Sequence, residues 1–327
     1  MTDMQQKWQG FDLIGDVHGC ANTLILLLEK LGYSKRNGVY SHPARQVIFL
    51  GDIVDRGPRI REALHIVRDM VDAGYAQIVM GNHEFNYLSY TTPGRPGSAM
   101  PYLREHNRRH LRILNETLEQ FANHPEDKRD FLSWIQDMPL FLEQDQFRVV
   151  HACWSQEHIS RFLQTTGGSR ISEDYLHQSA IVGSYEWETM DRLLRGTHLK
   201  LPNGEEMISK DGFRRRFFRT KFWSCDPQYY IDVVFQPDPL PEHVARASLT
   251  DADRADLIHY SPEEALLFIG HYWCEGKPQP LANNIACLDY SAVKYGKLVA
   301  YRLDDETSID PDKFVWVDVR KEIADPV

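Results

Sequence analysis

At 327 residues, with 37 Lys and Arg against 47 Asp and Glu and a formal charge of −10, the chain can bury a sizeable core as one large α/β domain or two smaller ones. The acidic balance argues against nonspecific binding to nucleic acid or to an anionic membrane, both of which rest on a basic field, so an anionic substrate must be attracted locally. Five cysteines without a CxxC pair argue against a disulfide framework, the start MTDMQQKWQG lacks a signal peptide's basic and apolar regions, and no run reaches the roughly 18 apolar residues of a membrane span, so a soluble, cytoplasmic protein is expected.

Phe11–Ile14 reads as an apolar strand running into Gly15-Asp16-Val17-His18-Gly19, and Leu24–Leu31 as a helix closed near Gly32. Gln46–Leu50 is the next strand, followed by Gly51-Asp52-Ile53-Val54-Asp55-Arg56-Gly57 and by a helix over Ile60–Asp72 with Leu64, Val67 and Val71 on one face. Gln77–Met80 is the third strand and leads into Gly81-Asn82-His83-Glu84. Such alternation predicts a mostly parallel sheet with these polar segments at the carboxyl ends of its strands.

Thr91–Pro101 reads as a loop from its prolines and glycines, and Tyr102–Ala122 and Phe131–Asp137 as helices. Leu140–Leu142 and Phe147–Val150 form an antiparallel pair that delivers His151. From Ser155 to Pro262 the pattern turns irregular and polar, an insertion or cap (155–262) beside the site. Ala265–Ile269 resumes strand character ahead of His271, and Asn284–Tyr290 with Lys297–Leu303 reads as a hairpin around Lys294-Tyr295-Gly296. Because residues from Asp16 to His271 must converge, a single domain over 1–327 is expected. No internal repeat or low-complexity segment is visible.

The three glycine-bounded segments place two aspartates, a histidine and an asparagine at strand ends. Oxygen and imidazole donors suit divalent transition ions, an aspartate can bridge a pair of them, and two metals about 3.5–4 Å apart clamp a phosphate and activate water. Glycine lets the backbone turn sharply after each strand. Any one segment alone is an ordinary strand-to-loop turn; three in series point to a metal-dependent phosphoesterase.

Together, GDVHG (15–19), GDIVDRG (51–57), GNHE (81–84), the histidine of VVHACW (149–154) and that of IGHYW (269–273) resemble the calcineurin-like metallophosphoesterases. Within them the resemblance is to the branch of phosphoprotein phosphatases and bacterial symmetrical diadenosine tetraphosphatases. It implies a four-layer α/β/β/α sandwich of two mixed sheets. It further implies two divalent ions, Mn²⁺ by preference over Fe, Zn, Ni or Mg, with Asp16, His18 and Asp52 on the first and Asp52, Asn82, His151 and His271 on the second. His83 is implied as general acid, oriented by Asp55 and favoured as imidazolium by that carboxylate, with Arg56 and Asn82 on the phosphate.

Two positions depart from the family pattern: Trp273 stands where many relatives have a further histidine, and Met80 where many phosphoprotein phosphatases have an arginine. The Arg104–Arg109 helix and the run Arg214-Arg215-Arg216-Phe217-Phe218-Arg219 are candidates to replace the missing charge, and Arg214, Arg215 and Arg216 are taken as substrate-binding residues, with Trp187, Trp223, Tyr229 and Tyr230 as stacking partners. Cys20, Cys153 and Cys274 are read as small packing residues. The resulting expectation is hydrolysis of nucleotide polyphosphates such as diadenosine tetraphosphate without a phospho-enzyme. The alternatives are a protein serine/threonine phosphatase acting on a phosphoprotein, and a noncatalytic scaffold.

Overall fold

The structure, a computed structural model, describes residues 8–98, 100–208, 212, 214–236 and 239–320; the reading made over Met1–Lys7 lies outside them. Strand β1 (Gly10–Ile14) leads to helix α1 (Ala21–Lys30), which begins three residues earlier than the periodicity predicts. A hairpin of β2 (Ser34–Arg36) and β3 (Val39–Ser41) follows. It is turned by Asn37-Gly38 with φ of 51° and 88°, a dipeptide whose preference for positive φ is a known hairpin signal and which the sequence reading passed over. Next come β4 (Arg45–Phe49), α2 (Ile60–Asp72) and β5 (Ala76–Ile78), close to their expected bounds.

Helix α3 (Asn82–Thr91) was not foreseen, because the GNHE segment reads as a loop. Residues Asn82 to Tyr90 are all buried, so this helix carries no amphipathic stripe for a periodicity argument to find. Helix α4 (Arg108–Gln120) starts six residues later than expected, where the Asn107 Oδ1 accepts from the His110 N–H at 2.9 Å and caps it. Helix α5 (Pro125–Gln136) starts earlier than expected, with proline in its first turn. Strands β6 (Phe141–Glu143) and β7 (Phe147–Val150) pair antiparallel as expected.

Segment 155–262 is more regular than its polar sequence suggests. It begins with three helices, α6 (Gln156–Thr166), α7 (Glu173–Ser179) and α8 (Tyr185–Arg195), each preceded by a serine. Short strands follow: β8 (His198–Lys200), the pair β9 (Met207–Ile208) and β10 (Arg214–Arg215), then β11 (Phe217–Thr220) and, after α9 (Tyr230–Val233), β12 (Val234–Gln236). β8, β11 and β12 form a three-stranded sheet around a small core of Leu199, Phe218, Tyr230 and Val244. α10 (Glu242–Ala245) and α11 (Asp251–Asp256) complete the segment.

The chain then supplies β13 (Leu266–Ile269), β14 (Ile285–Cys287), β15 (Asp289–Tyr290), β16 (Lys297–Leu303) and β17 (Phe314–Asp318). The expected hairpin of 284–290 with 297–303 is only partly right. β15 pairs with β16, but β14 runs parallel to β13 in a different sheet, so the chain changes sheets at Leu288. Alternation within a strand cannot reveal such a crossing.

Two mixed sheets result. The first runs β15-β16-β1-β4-β5 with β17 on the other side of β16; the second runs β14-β13-β7-β6. They face each other through Leu13, Ile48, Val299 and Tyr301 on one side and Phe147, Val149, Phe268 and Ala286 on the other, all fully buried or nearly so. The outer faces are covered by helices: α1 and α2 contact the first sheet, and α6 lays Phe162 against Phe141 of the second. This is the α/β sandwich with helical outer layers that the motifs imply. At the end away from the polar loops, buried Asp12 accepts from Tyr33 Oη (2.9 Å), Arg45 Nε (3.1 Å) and Arg302 Nε (2.9 Å), tying β1, β4 and β16 together. No helix of the described residues is long and apolar enough to cross a membrane.

Replacing Phe268, which packs its ring on Tyr301 at 5.1 Å between the sheets, by alanine should lower unfolding free energy by about 3–5 kcal/mol. Urea denaturation checks this as a lower midpoint at unchanged slope.

Candidate metal centre and active site

Five strand ends converge at one edge of the sandwich. β1 delivers Asp16 and His18, β4 delivers Asp52, Asp55 and Arg56, β5 delivers Asn82 and His83, β7 delivers His151 and β13 delivers His271. The first three belong to one sheet and the last two to the other. His18, Asp52, Asp55, Arg56 and His271 adopt positive φ (44°, 52°, 69°, 69° and 60°), a costly backbone for non-glycine residues that the surrounding packing must enforce. Two glycines make the approach feasible: a Cβ on Gly51 would lie 2.4 Å from the Gly81 nitrogen, and one on Gly270 would lie 2.2 Å from Asp16 Oδ1.

Glu84 organises the loop after β4 and was given no role in the sequence reading. Its Oε2 accepts from the N–H groups of Asp52 (2.7 Å) and Gly81 (3.0 Å), and its Oε1 from those of Ile53 (2.7 Å) and Val54 (3.1 Å). Burial lifts this carboxyl to about 7 and Asp52 adds to the shift, while the backbone donors oppose it.

Two groups of ligating side chains share Asp52: Asp16, Asp52 and His151, and His18, Asp52 and His83, each with its ligand atoms within 4.8 Å of one another. Asn82 Oδ1 joins them, 3.1 Å from His151 Nε2 and 2.7 Å from His271 Nδ1. The donor set fits a pair of divalent cations on a specific observation. His18 donates Nδ1–H to Val54 O at 2.8 Å and His151 donates Nδ1–H to Leu50 O at 2.7 Å, so both rings turn Nε2 toward Asp52, at 3.7 and 3.4 Å.

His83, although near Asp52, is engaged at both nitrogens. Its Nδ1–H donates to Asp55 Oδ2 at 2.6 Å, and its Nε2 accepts from Arg56 at 3.0 Å. Asp55 is itself held by Thr117, whose hydroxyl donates to Oδ1 and accepts from the Asp55 N–H. Burial drives His83 down to about 3, and burial lifts Asp55 to about 7 against the Thr117 hydrogen bond. The ring therefore rests neutral rather than as the expected imidazolium: burial, with Arg56 and His151 alongside, outweighs the opposing pull of Asp52.

His151 behaves oppositely. Burial alone would strip its charge, yet Asp52 and then Asp16 outweigh it and raise the imidazole to about 10. Asp52 is held well below the carboxylate range: burial opposes this, and His151 and His83 overcome it. Burial and then Asp289 raise Asp16.

The site floors a cavity of about 1150 Å³. Much of the wall comes from 155–262: Arg195 and Asp191 of α8, and Arg215, Phe217, Arg219, Phe235 and Gln236 of the small strands, facing Trp273. Arg219 donates to His271 Nε2 (3.0 Å) and Gln236 Oε1 (2.9 Å), and Gln236 donates to Trp273 O (2.6 Å), which couples this segment to the last histidine loop.

The arginine run divides: Arg215 of β10 and Phe217, Phe218 and Arg219 of β11 line the cavity, while Arg214 and Arg216 are exposed and pair with Glu206 outside it. The expectation that Arg214 and Arg216 face the site is thus corrected, Arg215 and Arg219 of the same run do line it, and Arg195 is the cavity arginine that was not expected. Alternation does not mark Arg219, because Phe217 and Phe218 line the cavity beside it and Arg216 lies between two strands; nothing in sequence distinguished Arg195. Trp187, Trp223, Tyr229 and Tyr230 do not line the cavity, and Tyr230 is buried in the small core with its hydroxyl on Asp253. Of the Arg104–Arg109 run none lines it. Cys20 and Cys153 are buried packing residues, but Cys274 is half-buried on the cavity wall.

The profile of the calcineurin-like phosphoesterases matches residues 11–271. The chain belongs to this family. As a calcineurin-like phosphoesterase it is 49% identical over 74 residues to an asymmetrical bis(5'-nucleosyl)-tetraphosphatase of Halalkalibacterium halodurans, a match covering 22% of this chain and 30% of that protein. It is 24% identical over 305 residues to a symmetrical bis(5'-nucleosyl)-tetraphosphatase of Marinomonas sp., covering 90% of this chain and 94% of the relative. The first of these matches spans less than a third of its relative's length. The fold is shared with a protein serine/threonine phosphatase from Saccharomyces cerevisiae at 12% identity and a TM-score of 0.51, over 98% of this chain and 82% of that one.

With His151 raised to about 10, a cation binding Nε2 at pH 7 must displace a proton. Metal affinity should therefore rise with pH, by up to about tenfold per unit between pH 6 and 9, with proton release. Calorimetry in buffers of differing ionisation enthalpy measures it; pH-independent binding without proton release would remove His151 from the ligand set.

Proposed function

We propose that this site hydrolyses phosphoesters and phosphoanhydrides with two divalent cations, Mn²⁺ by preference, and that its substrates are nucleotide polyphosphates such as diadenosine tetraphosphate. The observation that carries the proposal is the pair of ligand groups sharing Asp52 at the floor of a cavity walled by arginines and aromatic rings. By the family resemblance one ion would be held by Asp16, His18 and Asp52 and the other by Asp52, Asn82, His151 and His271, whereas the tightest groups set Asp16 with His151 and His18 with His83 around the shared Asp52. When bound, the cations supply Lewis-acid stabilisation of phosphoryl oxygens and activation of water.

The chain's own residues do the rest. Arg56, at the mouth of the site beside His83, holds nonbridging phosphate oxygens through its planar fork, as does Arg219 from the opposite wall. Asn82 is shared between metal and substrate. His83, oriented by Asp55 and Thr117, passes a proton to the leaving group; its resting neutrality means the proton is acquired as anionic substrate offsets Arg56 and desolvation. Arg215, Arg219 and Arg195 supply the positive charge absent at Met80, and Phe217, Phe235 and Trp273 offer stacking faces for a base. A wall of this kind suits a small polyanion better than a phosphoprotein, and relatives named bis(5'-nucleosyl)-tetraphosphatases support the same choice. No nucleic-acid or membrane partner is proposed, and the cytoplasm is the proposed location.

The test is a side-by-side assay of diadenosine tetraphosphate and phosphopeptides with Mn²⁺; preference for the phosphopeptide sinks the nucleotide reading. Asp52→Asn should lose activity and metal content together. His83→Asn should keep both metals yet slow substrates with poor leaving groups by about 10²–10⁴ while sparing activated aryl phosphates. Equal losses on both substrate types would remove His83 from the proton-donor role.

Arg219→Ala should raise KM for the tetraphosphate by about 10–100-fold, the range for a lost charge-assisted contact, whereas Arg214→Ala with Arg216→Ala should stay within about twofold. Steady-state kinetics decides it, and equal effects of the two would discard the assignment of Arg219, rather than Arg214 and Arg216, to the cavity.

A further inference from the structure

A second cavity, of about 670 Å³, adjoins the first. The two share Arg56 and Val293, but no residue of 155–262 lines the second. Its walls come from the turn after Arg56, from α4 and the residues just beyond it, and from the 291–296 loop. The volume lies within the range of small-molecule sites.

Three features point to a ligand. The Arg61 Nε is a buried donor without a hydrogen-bond partner among the described residues, while the Nη2 of the same guanidinium is paired with Asp127. Tyr295 lines the cavity while 61% exposed, and it does so at φ 60°, a strained conformation for tyrosine. Glu116 and Glu119 bring acceptor carboxylates to the same wall, where they would repel phosphate but accept from an amino group.

The chemistry of the first site fixes which part of a substrate would arrive here. His83 is the proposed proton donor to the leaving group, and Arg56, 3.0 Å from its Nε2, is the residue common to both cavities. The departing half of a polyphosphate would therefore emerge beside Arg56, the residue through which the second cavity adjoins the first. A dinucleoside polyphosphate carries a nucleoside at each end, so one end needs a pocket on this side as well.

We propose that this second cavity binds the departing nucleotide of a dinucleoside polyphosphate whose base bears an amino group, such as adenine. Tyr295 stacks on the base, Glu116 and Glu119 accept from its amino group, and Arg56 with Arg61 attends the phosphates. The proposal rests on the nucleotide reading of the first site.

Two variants outside the metal and proton-transfer machinery test it: Asn123→Trp, which fills the cavity from an exposed position on its rim, and Tyr295→Ala. Each is assayed on diadenosine tetraphosphate and on an aryl phosphate, and each is photolabelled with an azidoadenine analogue of the dinucleotide. Base stacking of ordinary strength predicts a rise in KM for the dinucleotide of about 5–100-fold, with aryl-phosphate turnover within about twofold of wild type. Labelling should reach the 291–296 loop in wild type and be lost from it in Asn123→Trp. If wild type hydrolyses diadenosine tetraphosphate while both variants match it and the label falls only within 155–262, the second subsite is wrong and the nucleotide reading stands. If wild type does not hydrolyse the dinucleotide at all, both fall.

Discussion

One buried carboxylate underlies the whole centre. Glu84 accepts four backbone N–H groups, three of them from consecutive residues of the turn after β4, and so holds open a loop whose Asp52, Asp55 and Arg56 sit at positive φ. These donors favour the carboxylate form and hold the strained backbone in place, although burial and Asp52 still leave the carboxyl raised to about 7. The same contact fixes α3 against that loop, because Glu84 lies in its first turn and also takes the Gly81 N–H. Asp52 reciprocates by accepting the His83 N–H at 2.9 Å. Two polar segments, far apart in sequence, are thereby locked face to face before any ligand arrives.

The electrostatics of the centre follow from that enclosure. Removing these groups from water penalises every charge, so Asp16, Asp55 and Glu84 rise, and His18, His83 and His271 fall. Asp52 and His151 escape the trend because each has the other as a close opposite charge. Dense ligating groups whose charges are unfavourable in the bare protein are what a strongly charged cation relieves, which couples metal binding to proton release. Arg56 and Arg219 add positive potential at the rim, where an acidic chain would otherwise repel a polyanion.

Segment 155–262 builds much of the wall of the cavity over the strand ends. Its small sheet is held by its own core yet reaches into the site through Arg219 to His271 and through Gln236 to the Trp273 carbonyl. The cavity wall therefore includes residues that the family motifs do not. The division of labour is physical: strand ends of two packed sheets give rigid positions for ligands, and short connected strands give a wall that can vary without disturbing them.

The sequence by itself determined the chemistry. Apolar runs ending in GDVHG, GDIVDRG and GNHE identified three strands and the polar residues at their ends, because a parallel strand is apolar throughout and glycine must follow where the chain turns sharply. That His151 and His271 would converge with those motifs was legible only in their company. What sequence periodicity could not carry was anything set by contact across the chain: the fully buried α3, the crossing from β14 to β15 between sheets, and the role of Glu84, whose partners lie 30 to 32 residues away at the turn after β4. The arginine run shows the limit most plainly. Composition marked 214–219 as basic, but only the direction of an extended segment against the cavity decided that Arg215 and Arg219 enter it while Arg214 and Arg216 turn to Glu206. Local preference chooses the element and the residue type; the side each residue faces is chosen by what the finished fold packs against it.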